Sequence, residues 1–224
     1  MRQLFILTSF FLILATSVCA QTELTLLFSP TYNGSAISLE GSAEEGIQIE
    51  TFKIYLSQFS LWNEGEQVYA EPNSFHLLDA DNPTSLTVSL NLPEGLSYTD
   101  LSFSLGIDSL TSVSGVFGGD LDPTNGMYWS WQSGYINCKL EGTAPDCPAR
   151  HNRFQYHIGG YRSPFNMLRE VSLVVSSEEV IPIDIKLDKL LGPTDLTTYY
   201  QIMSPSEQAM DLADLLPTLF TIAN

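Results

Sequence analysis

Positive charge is scarce in this sequence. Nine Lys and Arg residues stand against 26 Asp and Glu residues, and the formal net charge is −17. A surface of this sign repels phosphate backbones, so we do not expect the chain to bind nucleic acid. It favours cationic partners electrostatically, although solubility alone accounts for an acidic surface.

Motifs of several enzyme classes are also missing. The sequence has no CxxC or haem-attachment motif, no phosphate-cradling glycine loop and no Ser-His-Asp candidate. Among the 26 acidic residues, no spacing singles out a glycosidase-type carboxylate pair. These patterns therefore nominate no catalytic residues, and a hydrolase is kept only as the third and least favoured function.

Long apolar runs occur only at the N-terminus. The first twenty residues read MRQLFILTSFFLILATSVCA, with one cation at Arg2 and small residues at the end. This pattern predicts a signal peptide cleaved after Ala20, because the run is too short and wrongly flanked for a membrane span. Lipidation at Cys19 is the alternative, but Val18 is a poor residue before a lipidated cysteine. Without Arg2, the mature chain has 8 basic and 26 acidic residues, a net charge of −18.

Cysteine is equally sparse. Once Cys19 is removed with the leader, Cys138 and Cys147 remain. A single pair in an exported chain predicts a disulfide, here closing the loop 139–146. A copper site built on the two thiolates is the weaker alternative, because oxidation would consume both.

Alternation of apolar and polar residues is the strongest structural signal. It predicts half-buried strands around Leu24–Phe28, Phe52–Trp62, Leu86–Leu92, Leu101–Ile107, Phe154–Ile158 and Ile181–Leu187. Such strands are typical of an antiparallel sandwich or barrel. No linker or repeat divides the chain, so we predict a mostly β fold, a single antiparallel β-sandwich or barrel-like domain over residues 21–224.

One helix is predicted near the C-terminus. Ser204-Pro205-Ser206-Glu207 reads as a capping box with proline at the first helical position. Apolar residues follow at roughly helical spacing until Pro217, which should end the helix.

Aromatic residues are concentrated between Gly118 and Gly142, in the segment GGDLDPTNGMYWSWQSGYINCKLEG. A turn-rich beginning leads into the run 128–135, which we predict to be extended. Alternation would then place Trp129, Trp131 and Tyr135 on one strand face. Paired tryptophans on one face commonly fill the interior of a sandwich.

This segment resembles the MbnP family of periplasmic proteins, which is named after a methanobactin-operon member. The similarity is carried by NGMYWSWQSGY at 125–135, KLEG at 139–142 and YHIG at 156–159, and it extends weakly to IMSP at 202–205. The resemblance implies a secreted β-rich domain in the periplasm that binds copper. It further implies a tryptophan oxidised to kynurenine by a partner enzyme, a di-haem protein of the cytochrome c peroxidase type. The protein would be the substrate of that oxidation, so the resemblance predicts that it is not an enzyme.

Three histidines are available as copper ligands: His76, His151 and His157. Imidazole nitrogen and thioether sulfur are donors that copper prefers. The resemblance favours His157, which lies within the matched YHIG motif, with His76 as the expected second ligand. Arg150 and Arg153 flank His151 and would oppose a cation. The residue converted to kynurenine would be Trp129 or Trp131.

Two aspartate-rich segments, 79–82 and 120–125, place oxygen donors at alternating positions. Such donors suit Ca²⁺, but neither segment matches an EF-hand loop. Turn formation by Asx side chains is the preferred interpretation.

A second function remains open. A metal-free β-sandwich that binds a ligand or partner would use the tryptophans of the 128–135 run as an aromatic platform, for instance for stacking a sugar. Storage, uptake and delivery are the alternative roles for the copper.

Overall fold

A computed structural model describes residues 21–40, 46–132 and 134–223. The predicted signal peptide, with Cys19, lies outside the described residues. The strands are β1 (Gln21–Tyr32), β2 (Ser35–Ala36), β3 (Gln48–Asn63), β4 (Glu66–Ala70), β5 (Phe75–Asp79), β6 (Thr87–Pro93), β7 (Asp100–Leu105), β8 (Tyr128–Trp129), β9 (Gly134–Thr143), β10 (Arg153–Gly159), β11 (Tyr161–Arg162), β12 (Phe165–Asn166), β13 (Arg169–Val174), β14 (Val180–Lys186), β15 (Gln201–Ile202) and β16 (Phe220–Ile222).

Helices are short. The α-helices are α1 (Ser109–Val113), α2 (Asp188–Leu191) and α3 (Glu207–Leu215). Single 3-10 turns are formed by Pro83–Leu86, Gly119–Leu121, Pro123–Asn125, Arg150–Asn152 and Leu216–Leu219. None of the helices in the described ranges is both long and apolar enough to cross a bilayer.

The strands form two large sheets and one small one. The first sheet has five strands in the order β16-β14-β1-β2, with β6 also paired to β1. The second has nine strands and follows the path β13-β7-β3-β9-β10-β15, to which β4, β5 and β8 are added. Strands β11 and β12 form a separate hairpin.

The main core lies between the two large sheets. It joins residues of the first sheet, such as Leu26 and Ile183, to residues of the second, such as Phe103 and Tyr156. Each of these side chains alternates with a more exposed neighbour, as along β6. The mostly β fold and the six predicted strands are confirmed.

Long-range pairing differs from the prediction in one respect. Most neighbours are antiparallel, but β1 pairs with β14 and β10 pairs with β15 in parallel. Alternation shows which face of a strand is buried and carries no information on the direction of its neighbour.

The C-terminal helix is confirmed, but its start is two residues later than predicted. Ser206 is the N-cap, and its hydroxyl accepts a hydrogen bond from the Ala209 amide. The α-helix ends at Leu215, and Pro217 lies in the 3-10 turn that follows. The sequence pattern missed α1 and α2 because five and four residues are too few to show a helical period.

A second, smaller core lies on the outer face of the nine-stranded sheet. The loop between β7 and β8 crosses this face and buries a cluster that includes Tyr55, Met127, Trp129 and Tyr135. The Tyr55 hydroxyl donates to the Asp120 carbonyl over 2.8 Å. The loop therefore covers this part of the outer face and buries side chains that would otherwise contact solvent.

Candidate functional site

The aromatic run is a hairpin. Tyr128 pairs with Tyr135, and Trp129 pairs with Gly134, so the chain reverses between the two halves of the run. The prediction of one continuous strand through 128–135 is therefore wrong. Residues 130–132 form a turn, which the aromatic composition of the run conceals.

This reversal separates the two tryptophans. Trp129 is 5% exposed and belongs to the outer-face core, whereas Trp131 is 63% exposed. Their ring centroids are 5.8 Å apart, with planes inclined by 47°. The two rings are therefore in contact, but Trp129 lies on the strand and Trp131 lies in the exposed turn.

Trp129 packs directly on the backbone of β10. A Cβ built on Gly159 would lie 3.0 Å from Cζ3 of the Trp129 ring and 2.6 Å from the Tyr135 carbonyl oxygen. Glycine at this position is what allows the indole to approach the strand so closely.

His157 lies two residues before Gly159, on the same face of β10, and is 7% exposed. Its Nε2 is 2.6 Å from Oε1 of Glu141, on the neighbouring strand β9. Arg153 and Gln155 also donate to this carboxylate, over 3.0 and 3.3 Å. The hydrogen bond from His157, with the charges nearby, lowers the pKa of Glu141 to about 2.

The carboxylate determines which ring nitrogen of His157 is available. An ionised carboxylate only accepts hydrogen bonds, so Nε2 carries the proton and the Nδ1 of a neutral ring keeps its lone pair. Among the described residues, no side chain or backbone group hydrogen-bonds to Nδ1. This carboxylate–histidine arrangement is typical of metal-ligating imidazoles.

His76 does not join His157. It is opposite Leu56 on β3, on the face that packs against the main core, and its ring contacts Phe59. Its Nε2 is 2.9 Å from a carboxylate oxygen of Glu71. The path from β5 through β3 and β9 to β10 has three inter-strand spacings, or about 14 Å. The two histidines are thus on opposite faces of the sheet and cannot bind one ion together.

His151 is exposed and lies in the 3-10 turn before β10, with a left-handed φ of 61°. Arg153, two residues later, is four residues from His157, or about 13 Å along an extended strand. His151 therefore does not reach the His157–Glu141 pair.

The described residues contain no group of three or more His, Cys, Asp or Glu side chains that converge on a point. Lys139 lies directly opposite His157, and its ammonium donates to the Gly126 carbonyl over 2.6 Å. A metal at Nδ1 of His157 would need further donors from neutral groups. The nearby buried cluster that holds Trp129 also contains the thioether of Met127.

The predicted disulfide is wrong for this structure, because Cys138 and Cys147 are both free and buried. Cys138 is opposite Ile158 near the end of β10, whereas the Cys147 thiol contacts the carbonyl of Arg153 at its start. Five residues of strand separate these places, or about 17 Å. A disulfide requires Cα atoms within about 7 Å, so the two thiols cannot be joined.

Two of the aspartates in these segments have the predicted turn roles, whereas Asp120 accepts from the Leu77 amide of β5 over 2.9 Å. Asp122 accepts hydrogen bonds from the amide and hydroxyl of Thr124, and these lower the pKa of its carboxyl. Asp79 accepts from the Asp81 amide and pairs with Lys53 over 2.7 Å. The contacts of Asp79 and Asp122 are thus made within their turns or to a protein cation.

Sequence reasoning missed the groove beside Trp131. It has a volume of about 360 Å³ and is bordered by Tyr161, Phe165, Pro205 and Arg162. The Arg162 guanidinium lies 5.0 Å from the centroid of the Tyr161 ring. The hairpin β11–β12 brings these residues to the aromatic run, and no local pattern shows this.

Glu141 and Gly159 were also missed as site residues. Both lie in segments that resemble the MbnP family, but a glutamate on an alternating strand is ordinarily a solvated side chain. Only the register of β9 against β10 reveals that Glu141 meets His157.

The comparisons with known proteins agree with this fold. A solved structure, MbnP from Methylosinus trichosporium, superposes with a TM-score of 0.58 at 14% sequence identity and covers 80% of each chain. At this identity the similarity is evidence for a shared fold. No curated protein matches the chain. The family model for MbnP matches residues 21–204. The chain therefore belongs to the MbnP family.

Proposed function

We propose that this protein is an exported copper-binding accessory protein in which Nδ1 of His157 is a copper ligand. The observation that carries the proposal is the part-buried His157–Glu141 pair, two residues along β10 from the glycine on which Trp129 packs. Glu141 orients the imidazole and keeps the proton on Nε2, so a lone pair is available at Nδ1. Imidazole nitrogen suits copper in both oxidation states.

The remaining donors would come from position 129. Trp129 packs on Gly159, two residues along β10 from His157. Its oxidation to kynurenine by the partner enzyme would consume two equivalents of hydrogen peroxide, open the pyrrole ring and release Cδ1 as formate. A ketone and an aryl amine would remain beside the histidine. These are neutral donors, and they suit a site where Lys139 and Arg153 already supply positive charge. Of the two tryptophans, we therefore propose Trp129 as the modified residue.

The partner in this proposal is an oxidising enzyme of the di-haem type implied by family membership. The protein would be the substrate of that oxidation and would catalyse no reaction itself. Export to the periplasm, with cleavage after Ala20, accords with the family match, which begins at residue 21.

The test is a Cu(I) titration of residues 21–224 against a competing chelator. We expect one copper per chain in material with kynurenine at position 129, and loss of this binding in His157→Ala. The variants His76→Ala and His151→Ala are matched controls that should bind normally. Mass spectrometry of the peptide that contains position 129 measures the modification, because kynurenine differs from tryptophan by the exchange of one carbon for one oxygen.

Two results would overturn the proposal. Copper binding that is unaffected by His157→Ala would place the site elsewhere. Absence of copper binding by the modified protein would reject copper as the ligand.

The exposed Trp131 favours a second function, that of a metal-free interaction module. Its ring is 63% exposed and borders the groove of about 360 Å³. In that case Trp131→Ala would abolish ligand binding, and His157→Ala would not affect it. The same two variants therefore separate the two functions.

A further inference from the structure

A second groove lies on the outer face of the nine-stranded sheet, far from His157. It has a volume of about 370 Å³ and runs over β13, β7 and the second half of β3. Its walls include Trp62 and Glu71, and its floor is made largely of serine side chains. His157 is on β10, at the other end of the sheet, so the groove is independent of the proposed copper site.

The floor is a connected set of hydroxyl groups. The Oγ atoms of Ser60 and Ser102 are 2.8 Å apart, across strands β3 and β7. The indole Nε1 of Trp62 donates to the Ser102 hydroxyl over 2.9 Å. Both serines are buried, at 8% and 5% exposure. A hydroxyl has one donor hydrogen and two acceptor lone pairs, so this floor keeps acceptor capacity for a ligand.

A β-bulge places Gln58 at the edge of this floor. The register of β3 against β7 shifts between Ser57 and Ser60, and Gln58 has a left-handed φ of 57°. Ser74 holds the bulge, since its carbonyl and hydroxyl accept from the amides of Gln58 and Phe59. A non-glycine residue in this conformation costs free energy, and such strain is concentrated at functional sites.

Only one of the two polar atoms of the Gln58 side chain is hydrogen-bonded to the described residues. Its Oε1 accepts from Ser104 over 2.7 Å. No described residue hydrogen-bonds to its Nε2 amide. The bulge therefore places the Nε2 amide of Gln58 at the groove, where it can donate a hydrogen bond to a ligand.

The charges of the groove exclude one large group of ligands. Among its described lining residues, the charged ones are Glu71 and Glu170, and none is Lys, Arg or His. Both oxygens of Glu71 are within hydrogen-bond distance of Nε2 of His76, so Glu170 is the carboxylate that would repel phosphates and carboxylates. A neutral or cationic ligand rich in hydroxyl groups matches the serines, the Gln58 amide, the Glu170 carboxylate and the indole wall.

We propose that this groove is a saccharide-binding site in which Trp62 stacks against one sugar ring. The sugar hydroxyls would donate to Glu170 and accept from the Gln58 amide. This function goes beyond copper binding and uses none of the residues assigned to it.

Saturation-transfer NMR tests the proposal on residues 21–224. The probes are glucose, galactose, N-acetylglucosamine and glucosamine, each titrated alone to roughly 10 mM, the range of weak single-sugar binding. We expect saturable binding of at least one sugar. Trp62→Ala should weaken it about tenfold, because the stacking surface is lost. Trp131→Ala, which removes an exposed indole outside the groove, is the matched control and should bind like the wild type.

Gln58→Gly is the second variant, because glycine keeps the left-handed backbone and removes only the amide. Circular dichroism establishes that each variant is folded. The proposal fails if none of the four sugars gives saturable binding. It fails equally if binding survives both Trp62→Ala and Gln58→Gly, or is lost in Trp131→Ala.

Discussion

His157 and Glu141 form a part-buried pair across strands β10 and β9, with 2.6 Å between Nε2 and Oε1. The carboxylate accepts from Arg153 and Gln155 as well, so its charge is satisfied from three sides. The pair fixes the orientation of the His157 imidazole.

The first prediction concerns stability in acid. The pKa of Glu141 in the folded protein is about 2, below its usual value of 4.5, so the ionised group stabilises the fold. This contribution is complete above about pH 4.5 and is lost as the pH falls towards about 2. We expect the wild type to lose roughly 2–3 kcal/mol more than Glu141→Gln over this range. Urea denaturation at a series of pH values measures it. An equal loss in both proteins would contradict the assignment.

The second prediction compares the two tryptophans. Trp129 is buried, so Trp129→Ala should lower the free energy of unfolding by about 3–5 kcal/mol. Trp131 is mostly exposed, and Trp131→Ala should change it by no more than about 0.5 kcal/mol. Chemical denaturation of the two variants gives both values. Similar losses would show that the hairpin does not separate the indoles.

The third prediction concerns the packing of Trp129 on Gly159. A methyl group at this position would clash with the Tyr135 carbonyl and the Trp129 ring. Gly159→Ala should therefore destabilise the protein by about 1–3 kcal/mol and alter the near-ultraviolet circular dichroism of the indoles. Gly118→Ala is the control, because no atom lies within 4 Å of its Cβ and its φ is −94°. An unchanged spectrum in Gly159→Ala would contradict this packing.

The fourth prediction concerns the cysteines. Burial raises the pKa of the Cys138 thiol to about 12, so little reactive thiolate is present near neutral pH. Residues 21–224, purified without reductant, should show two titratable thiols in denaturant and slow reaction in the native state. A thiol reagent such as Ellman's measures both. If no thiols were titrated in denaturant, the two cysteines would be joined in a disulfide and the structure would be contradicted.

The fifth prediction locates the start of α3. Ser206 caps the helix through the Ala209 amide, so Ser206→Ala should cost about 1 kcal/mol. Ser204→Ala, two residues earlier, removes no cap and should be close to neutral. Thermal denaturation compares them. The reverse order would place the cap where the sequence pattern predicted it.

The fold could be predicted well because its signal is local. The alternation in β1, β3, β6, β7, β10 and β14 follows from a side-chain period of two, which is a property of each strand alone. The same locality explains the errors. A turn at 130–132 interrupts an aromatic run without changing its composition, and a parallel pairing such as β1 with β14 leaves no trace in either strand.

The site depends on contacts between distant residues. The sequence alone identified the scarce groups, namely three histidines, two mature cysteines and the paired tryptophans, because their number and chemistry are visible residue by residue. Tertiary structure decided which of them meet. Strand order and register set His157 beside Glu141, put His76 on the opposite face and kept Cys138 from Cys147. These outcomes depend on long-range pairing and packing, in which every strand competes for neighbours, and no short segment encodes that choice.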